Sequence, residues 1–187
     1  TCTAFVAAAA GVIVAKHGNR SVSSQCGSAD VMESLGIKID IPVPKIEECL
    51  DTIGLAFLFA PGLHPAMKFA IGPRRQIGIR TVFNILGPLS NPARANCQLL
   101  GIYSAELVSP IAQVLNNLGT RHAFIVHGND GLDEISVTGE TKVAELNSGQ
   151  VKEYSISPEQ FGLAQTELKS LQGGDAIRNA EIIKSIL

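Results

Sequence analysis

Five consecutive apolar residues, Leu55-Ala56-Phe57-Leu58-Phe59, lie between Gly54 and the pair Pro61-Gly62. The run is short and lacks polar alternation, so it reads as a strand covered on both faces. A strand buried in that way needs helices above and below its sheet. Flanking sequence supplies them. Ile46 to Ile53 is amphipathic and ends at Gly54, while Pro65 to Ile71 opens with proline at a first helical position. A second apolar run, Ala123-Phe124-Ile125-Val126, follows a helical stretch from Leu107 to Leu118 closed by Gly119. That stretch follows a strand-like segment from Asn96 to Tyr103. Strand, helix and strand in this order predict a βαβ unit with parallel pairing. The expected fold class is α/β, a central mostly parallel or mixed sheet flanked by helices.

Other segments fill in the plan. The Ala-rich start, Thr1 to Val14, predicts a helix packed on most sides, turning to strand near Val12-Ile13-Val14. A polar loop, Lys16 to Ser21, follows. Ser28 to Gly36 predicts a short helix with Ser28 as N-cap and Gly36 as terminator. Val82 to Leu86 runs into a turn-dense stretch, Gly87 to Pro92. Thr141 to Ile156 carries more charge and predicts exposed antiparallel strands, Val143 to Leu146 and Val151 to Ile156, joined by Asn147-Ser148-Gly149. Gly173-Gly174-Asp175 precedes a last helix, Ala176 to Leu187.

Composition narrows the class of partner. The 187 residues suffice for a real core, and 45% are hydrophobic. Net charge is -2, aromatics are 5% and Trp is absent, which argues against stacked-base binding. No nucleic acid and no membrane is expected as a partner. Cys2, Cys26, Cys49 and Cys97 are far apart and read as thiols of a reducing compartment, not as a disulfide scaffold or a zinc site. Thr1 to Ala15 is apolar but too short to span a bilayer before Lys16. It reads as internal to a longer protein, not as a secretion leader.

Three polar clusters sit at the ends of apolar strands or in their loops, where parallel sheets place ligands. Lys16-His17-Gly18-Asn19-Arg20 with the serines behind it offers cations, hydroxyls and a glycine that lets amides approach an anion. His64 with Lys68, Arg74, Arg75 and Arg80 offers guanidinium groups suited to a carboxylate or phosphate. Asp133-Glu134 places two carboxylates side by side, a pairing that suits Mg²⁺ bridged to phosphates, with Asp130 as a competing ligand. Asp30 and Glu33 form a further local acidic pair of low specificity.

The same clusters carry a family resemblance. KHGNRSVSSQCGSADVMESLG at Lys16 to Gly36 resembles the signature of the superfamily of anthranilate phosphoribosyltransferases and pyrimidine nucleoside phosphorylases. HPAMK at His64 to Lys68, GIRTVFNILGPLSNP at Gly78 to Pro92 and HGNDGLDEIS at His127 to Ser136 resemble the anthranilate enzymes in particular. The resemblance implies transfer of a phosphoribosyl group from 5-phosphoribosyl 1-pyrophosphate to anthranilate, an early step of tryptophan synthesis. It implies Mg²⁺ as cofactor and a homodimer formed mainly through a small helical domain. On this basis residues 1–187 form the α/β core with remnants of that helical domain, and residues about 16–60 contribute partly to the junction.

Residue roles follow from the matched motifs. Lys16, Asn19, Ser24 and Ser28 are implied to bind phosphoribosyl pyrophosphate. His17, Asn19, His64, Arg74, Gly87 and Pro88 are implied to line the anthranilate site, with Arg74 on its carboxylate. Asp133 and Glu134 are implied to hold the metal. An aromatic amine attacks while neutral, so no residue is assigned as obligate acid or base. Gln25-Cys26 departs from the basic residue and serine of most members. The family's Gly-Thr-Gly-Gly-Asp loop would fall upstream of Thr1, so the 187 residues alone are expected to turn over little. The alternatives are an inactive fragment or a pyrimidine nucleoside phosphorylase. The implied compartment is the bacterial cytoplasm or the plastid stroma.

Overall fold

A computed structural model describes residues 1–21, 26–79 and 81–187, with the side chains of Ile71, Arg74 and Arg75 outside the description. The architecture is α/β, with one parallel and one mixed sheet flanked by helices. The chain divides into two compact units. The first comprises Thr1–Gly87, Asn91–Ala93 and Gly173–Leu187; the second comprises Pro88–Ser90 and Arg94–Gln172.

In the first unit, helix α1 (Cys2–Ala9) leads to strand β1 (Val14–Gly18). Helices α2 (Ser28–Ser34) and α3 (Val43–Ile53) then lead to strand β2 (Leu55–Phe59). Gly54 ends α3 in the left-handed region at φ 70°, which glycine adopts without a Cβ clash. That reversal feeds β2 beside β1 in parallel, with Lys16 opposite Phe57 and His17 opposite Leu58. The strand therefore lies two residues later than Val12 to Val14, and Lys16, His17 and Gly18 belong to it, not to a loop. Three polar or small residues are tolerated because β1 has one strand neighbour among the described residues, and pairing engages the backbone whatever the side chain.

Ala56, Phe57 and Leu58 are buried, as a run covered on both faces requires. Phe57 packs with Ala29, Met32 and Ile39, while Ala56 and Leu58 pack with Ile46 of α3. The last helix of the chain, α8 (Ala176–Ile186), joins this unit by setting Ala180 and Ile183 against Val31 of α2. Its N-cap is Asp175, whose carboxylate accepts from the Arg178 amide at 2.8 Å. For α1 the expectation of burial on most sides fails: Ala4 is its one buried residue, and Val6 is 54% exposed.

Helix α4 (Ala60–Leu63) and a 3₁₀ turn (Pro65–Met67) carry the chain into α5 (Lys68–Ile77) and α6 (Phe83–Leu89). α6 runs through Gly87 and Pro88, where a turn was expected. Pro88 has no amide hydrogen to give the Asn84 carbonyl and the helix ends one residue later, at Leu89, while glycine costs only about 1 kcal/mol in a helix.

The second unit is a four-stranded sheet in the order β3-β4-β5-β6. β3 (Cys97–Gly101) pairs in parallel with β4 (His122–Gly128) through the crossover helix α7 (Val108–Asn117), as the βαβ reading predicted. β5 (Thr141–Asn147) and β6 (Gln150–Ile156) then add as an antiparallel hairpin. Its two-residue turn has positive φ at Ser148 (48°) and Gly149 (89°), the backbone that matches strand twist. β5 is not exposed. It is an inner strand with Thr141, Val143, Ala144 and Leu146 all buried: α7 sets Val108, Ile111, Ala112 and Leu115 on one face of the sheet, and strand neighbours such as Val126 and Tyr154 flank Val143 on the other. Among the described residues no helix is long and apolar enough to cross a membrane.

The loop that leaves β4 crosses the end of β3. A Cβ on Gly101 would run into the main chain of Asp133, 2.5 Å from its carbonyl carbon. Gly101→Ala must therefore displace either strand or loop. The expected loss is about 1–3 kcal/mol, the usual cost of overpacking. Urea denaturation measures it, and an unchanged midpoint would show that the loop does not rest on the strand.

Candidate functional site

The carboxyl end of the β1–β2 pair gathers most of the residues singled out by sequence. Lys16 and His17 are half-buried at the end of β1, and Asn19 follows. Gly18 between them has no room for a side chain: a Cβ would meet the Phe57 ring at 2.7 Å and the Ser28 hydroxyl. This absence of a Cβ lets Ser28 sit over the strand end. Asn19 fastens the same corner, its carbonyl accepting from the Ala29 amide at 3.1 Å and, at the long limit, from the Ser28 hydroxyl at 3.5 Å. Ser28 is the first residue of α2, and Gly27 takes the cap position expected for it.

His17 and His64 meet. Their Nε2 atoms are 3.2 Å apart and their rings edge-on, with centroids 5.1 Å apart. His17 Nδ1 lies 3.1 Å from the carbonyl of Gly87. A carbonyl only accepts, so His17 carries its proton on Nδ1. Neutral His17 then has a lone pair on Nε2, which accepts from Nε2–H of His64. Burial, aided by the neighbouring His64, pushes the His17 pKa down; the bond to Gly87 opposes this, and Lys16 adds to the lowering. The two imidazoles thus form an ordered row that runs from the Gly87 carbonyl through His17 to His64.

Other residues of the clusters divide by what they touch. Arg20 does not stand ready for a ligand: it pairs with Glu33 and with Asp30, at 3.3 Å from the latter. Asp30 and Glu33 hence share a cation instead of forming a pair of their own. The amides of Ser21 and Gly27, and then Arg20, hold the Asp30 carboxyl below its ordinary value. Arg74 falls within α5. Gly87 and Pro88 are consecutive in α6, and the Pro88 carbonyl accepts from Gln98 Nε2 at 2.8 Å. Ser24 lies outside the described residues, as does Arg80.

Asp133 and Glu134 belong to the second unit, exposed on the loop between β4 and β5. Neither takes part in an ion pair among the described residues. Asp130, three residues earlier, is fully engaged. Its Oδ1 accepts from the Leu132 amide at 2.9 Å, and its Oδ2 from the hydroxyls of Thr138, at 2.6 Å, and Ser136. Burial works to raise the Asp130 pKa, but these hydrogen bonds outweigh it and hold the group low. Asp130 therefore organises the loop, a role that residue type alone did not reveal. No three His, Cys, Asp or Glu side chains converge into a metal cage among the described residues. Two exposed carboxylates suit an ion that keeps water and substrate phosphates as its other ligands, the habit of Mg²⁺.

Comparison with known proteins agrees with the α/β fold. The anthranilate phosphoribosyltransferase of Trichlorobacter lovleyi is 56% identical over 187 residues, which are 100% of this chain and 54% of that protein. Its counterpart from Citrifermentans bemidjiense is 59% identical, over 100% of this chain and 53% of that protein. Among solved structures, anthranilate phosphoribosyltransferase from Thermus thermophilus is similar at a TM-score of 0.91 and 44% identity, covering 97% of this chain and 54% of that one. The Saccharomyces cerevisiae enzyme, solved in complex with PRPP and Mg, gives a TM-score of 0.90 at 32% identity, over 100% of this chain and 51% of that one. The chain spans about half the length of the curated relatives it matches. A family model described as glycosyl transferase family, a/b domain, matches residues 1–187, and the chain belongs to that family.

Proposed function

We propose that these residues serve an enzyme that transfers the phosphoribosyl group of 5-phosphoribosyl 1-pyrophosphate to the amino group of anthranilate, in tryptophan biosynthesis. The observation that carries the reading is the row Gly87, His17, His64 at the end of β1. It offers two half-buried imidazole rings, set edge-on at 68°, against which an aromatic acid can pack. Arg74 is assigned to the carboxylate of that acid, with Asn19 and the Gly87-Pro88 segment beside it. Lys16, Asn19, Ser24 and Ser28 are assigned to phosphoribosyl pyrophosphate.

Asp133 and Glu134 would hold Mg²⁺. When bound, the ion neutralises charge on the departing pyrophosphate. Lys16 adds a fixed cation for the same substrate. The attacking amine needs no proton removed beforehand, so the chain's task is orientation: the imidazole wall fixes the ring plane and Arg74 fixes its rotation. A neutral His17 suits that task, since a charged imidazole would draw the anthranilate carboxylate out of place. The same reading expects a homodimer as the assembled form and the bacterial cytoplasm or plastid stroma as its compartment.

The fluorescence of anthranilate, followed during incubation with phosphoribosyl pyrophosphate and Mg²⁺, tests the assignment in a protein carrying these residues together with the other half of its relatives' length. Turnover is expected there and little from the 187 residues alone. Phosphorolysis of thymidine in place of anthranilate consumption would overturn the reading. His64→Ala is expected to raise KM for anthranilate by about tenfold, with a smaller change in kcat.

The lowered pKa of His17 has a consequence for stability. A histidine whose folded pKa lies below its unfolded value of 6.5 contributes fully above that pH, and the contribution is lost as pH falls toward the folded pKa. Protonation also removes the lone pair that accepts from His64. The unfolding midpoint is therefore expected to drop between pH 7 and pH 5, and the drop to shrink in His17→Gln. A His17 imidazole that titrates above 6.5 by NMR would contradict this.

A further inference from the structure

The loop between β4 and β5 holds three acids of two kinds. Asp133 and Glu134 are exposed, while Asp130 spends both oxygens inside the loop. Its two oxygens reach to either side of the exposed pair. Oδ1 accepts from the amide of Leu132, just before Asp133, and Oδ2 from the hydroxyl of Ser136, two residues after Glu134. One carboxylate therefore fixes both ends of the short span 133–135. The surroundings lock it further. Thr138 donates to the same Oδ2, the Ser136 amide donates to Thr141 Oγ1 at 2.9 Å, and the Gly128 amide donates to the Leu132 carbonyl at 2.9 Å. Gly128 must lack a side chain for this, because a Cβ there would lie 2.5 Å from Asp130 Oδ1.

We propose that Asp130 is the positioning residue for Asp133 and Glu134, presetting their span so that the pair meets a divalent cation bridged to a diphosphate in one arrangement. This rests on the reading of the pair as the magnesium holder. Adjacent carboxylates repel, and an unbraced loop relieves that repulsion by letting them spread. Collecting them again on each binding event subtracts from affinity; a brace that has already ordered them removes that cost. Asp130 does this without competing for the ion, since its oxygens are filled by an amide and two hydroxyls.

The test uses the full chain, with Mn²⁺ as a paramagnetic substitute for Mg²⁺ and inorganic pyrophosphate at saturation, free Mn²⁺ being read by electron paramagnetic resonance. Asp130→Ala is expected to weaken Mn²⁺ binding by about tenfold, in the range seen when an outer partner of a metal ligand is removed. Asp130→Asn keeps a carbonyl for the Leu132 amide and is expected to recover most of that loss. Should the alanine variant not fold, Ser136→Ala cuts the second anchor alone and is expected to weaken binding in the same sense. Wild-type affinity in folded Asp130→Ala or Ser136→Ala overturns the proposal, since a purely structural role would lower the melting temperature and leave affinity at 25 °C unmoved. An Asp133→Asn, Glu134→Gln double variant is the independent arm. If it binds Mn²⁺ as the wild type does, the metal reading itself falls and the brace with it.

Discussion

The parallel pairing of β1 with β2 is the constraint on which the proposed acceptor site depends. It forces Lys16 and His17, two residues with little liking for a sheet, into register with Phe57 and Leu58. The gain is position. A strand fixes the direction of successive side chains, so His17 reaches His64 and the Gly87 carbonyl while Lys16 faces the other way along the pleat. Gly18 then closes the strand where any larger residue would strike Phe57 and Ser28. The apolar residues of β2 secure the arrangement from below, since Ala56, Phe57 and Leu58 are buried against helices on both sides. A loop carrying the same residues would hold the same chemistry with far less order.

Much of this fold was legible because its signals are local. The run Leu55 to Phe59, the Gly54 stop and the Ser148-Gly149 turn each specify their structure over a few residues. Where the reading failed, a distant partner had decided. Lys16 to Gly18 look like loop and become strand because β2 is there to pair with. β5 carries charged residues and looks exposed, yet it is paired on both edges, and Lys142 and Glu145 are half-buried along this inner strand. Gly87-Pro88 reads as a turn and lies in a helix. For the site, the motifs supplied the names of the residues, but not that His17 and His64 share a hydrogen bond. Nor could spacing expose the role of Asp130, whose partners are a main-chain amide and two hydroxyls in an irregular loop with no period to read.

The charged groups are sorted by occupation. Arg20 is paired with Asp30 and Glu33, and Asp130 is held by an amide and hydroxyls, while Asp133 and Glu134 face solvent. A charge whose hydrogen bonds are filled keeps its ionisation and its place whatever ligand arrives. An open charge must exchange water for the ligand, which is weaker in isolation but reversible. Polar clusters that look equivalent in sequence therefore separate into framework and contact surface once their partners are known.

Helix α8 carries a consequence for the order of events during folding. It packs on α2 through Ala180, Ile183 and Val31, so the first unit is completed by residues that follow the whole of the second in sequence. Docking α8 while residues 94–172 are still disordered would close a very long loop, at an entropic cost on the order of 4 kcal/mol from chain closure alone. One short helix interface gains little more than that. The inserted sheet, with its local hairpin and βαβ crossover, can form from near neighbours and shorten the span that must close. The last helix is then a latch whose seating waits on the insert, so that a growing chain leaves the first unit ajar until synthesis has passed through the second.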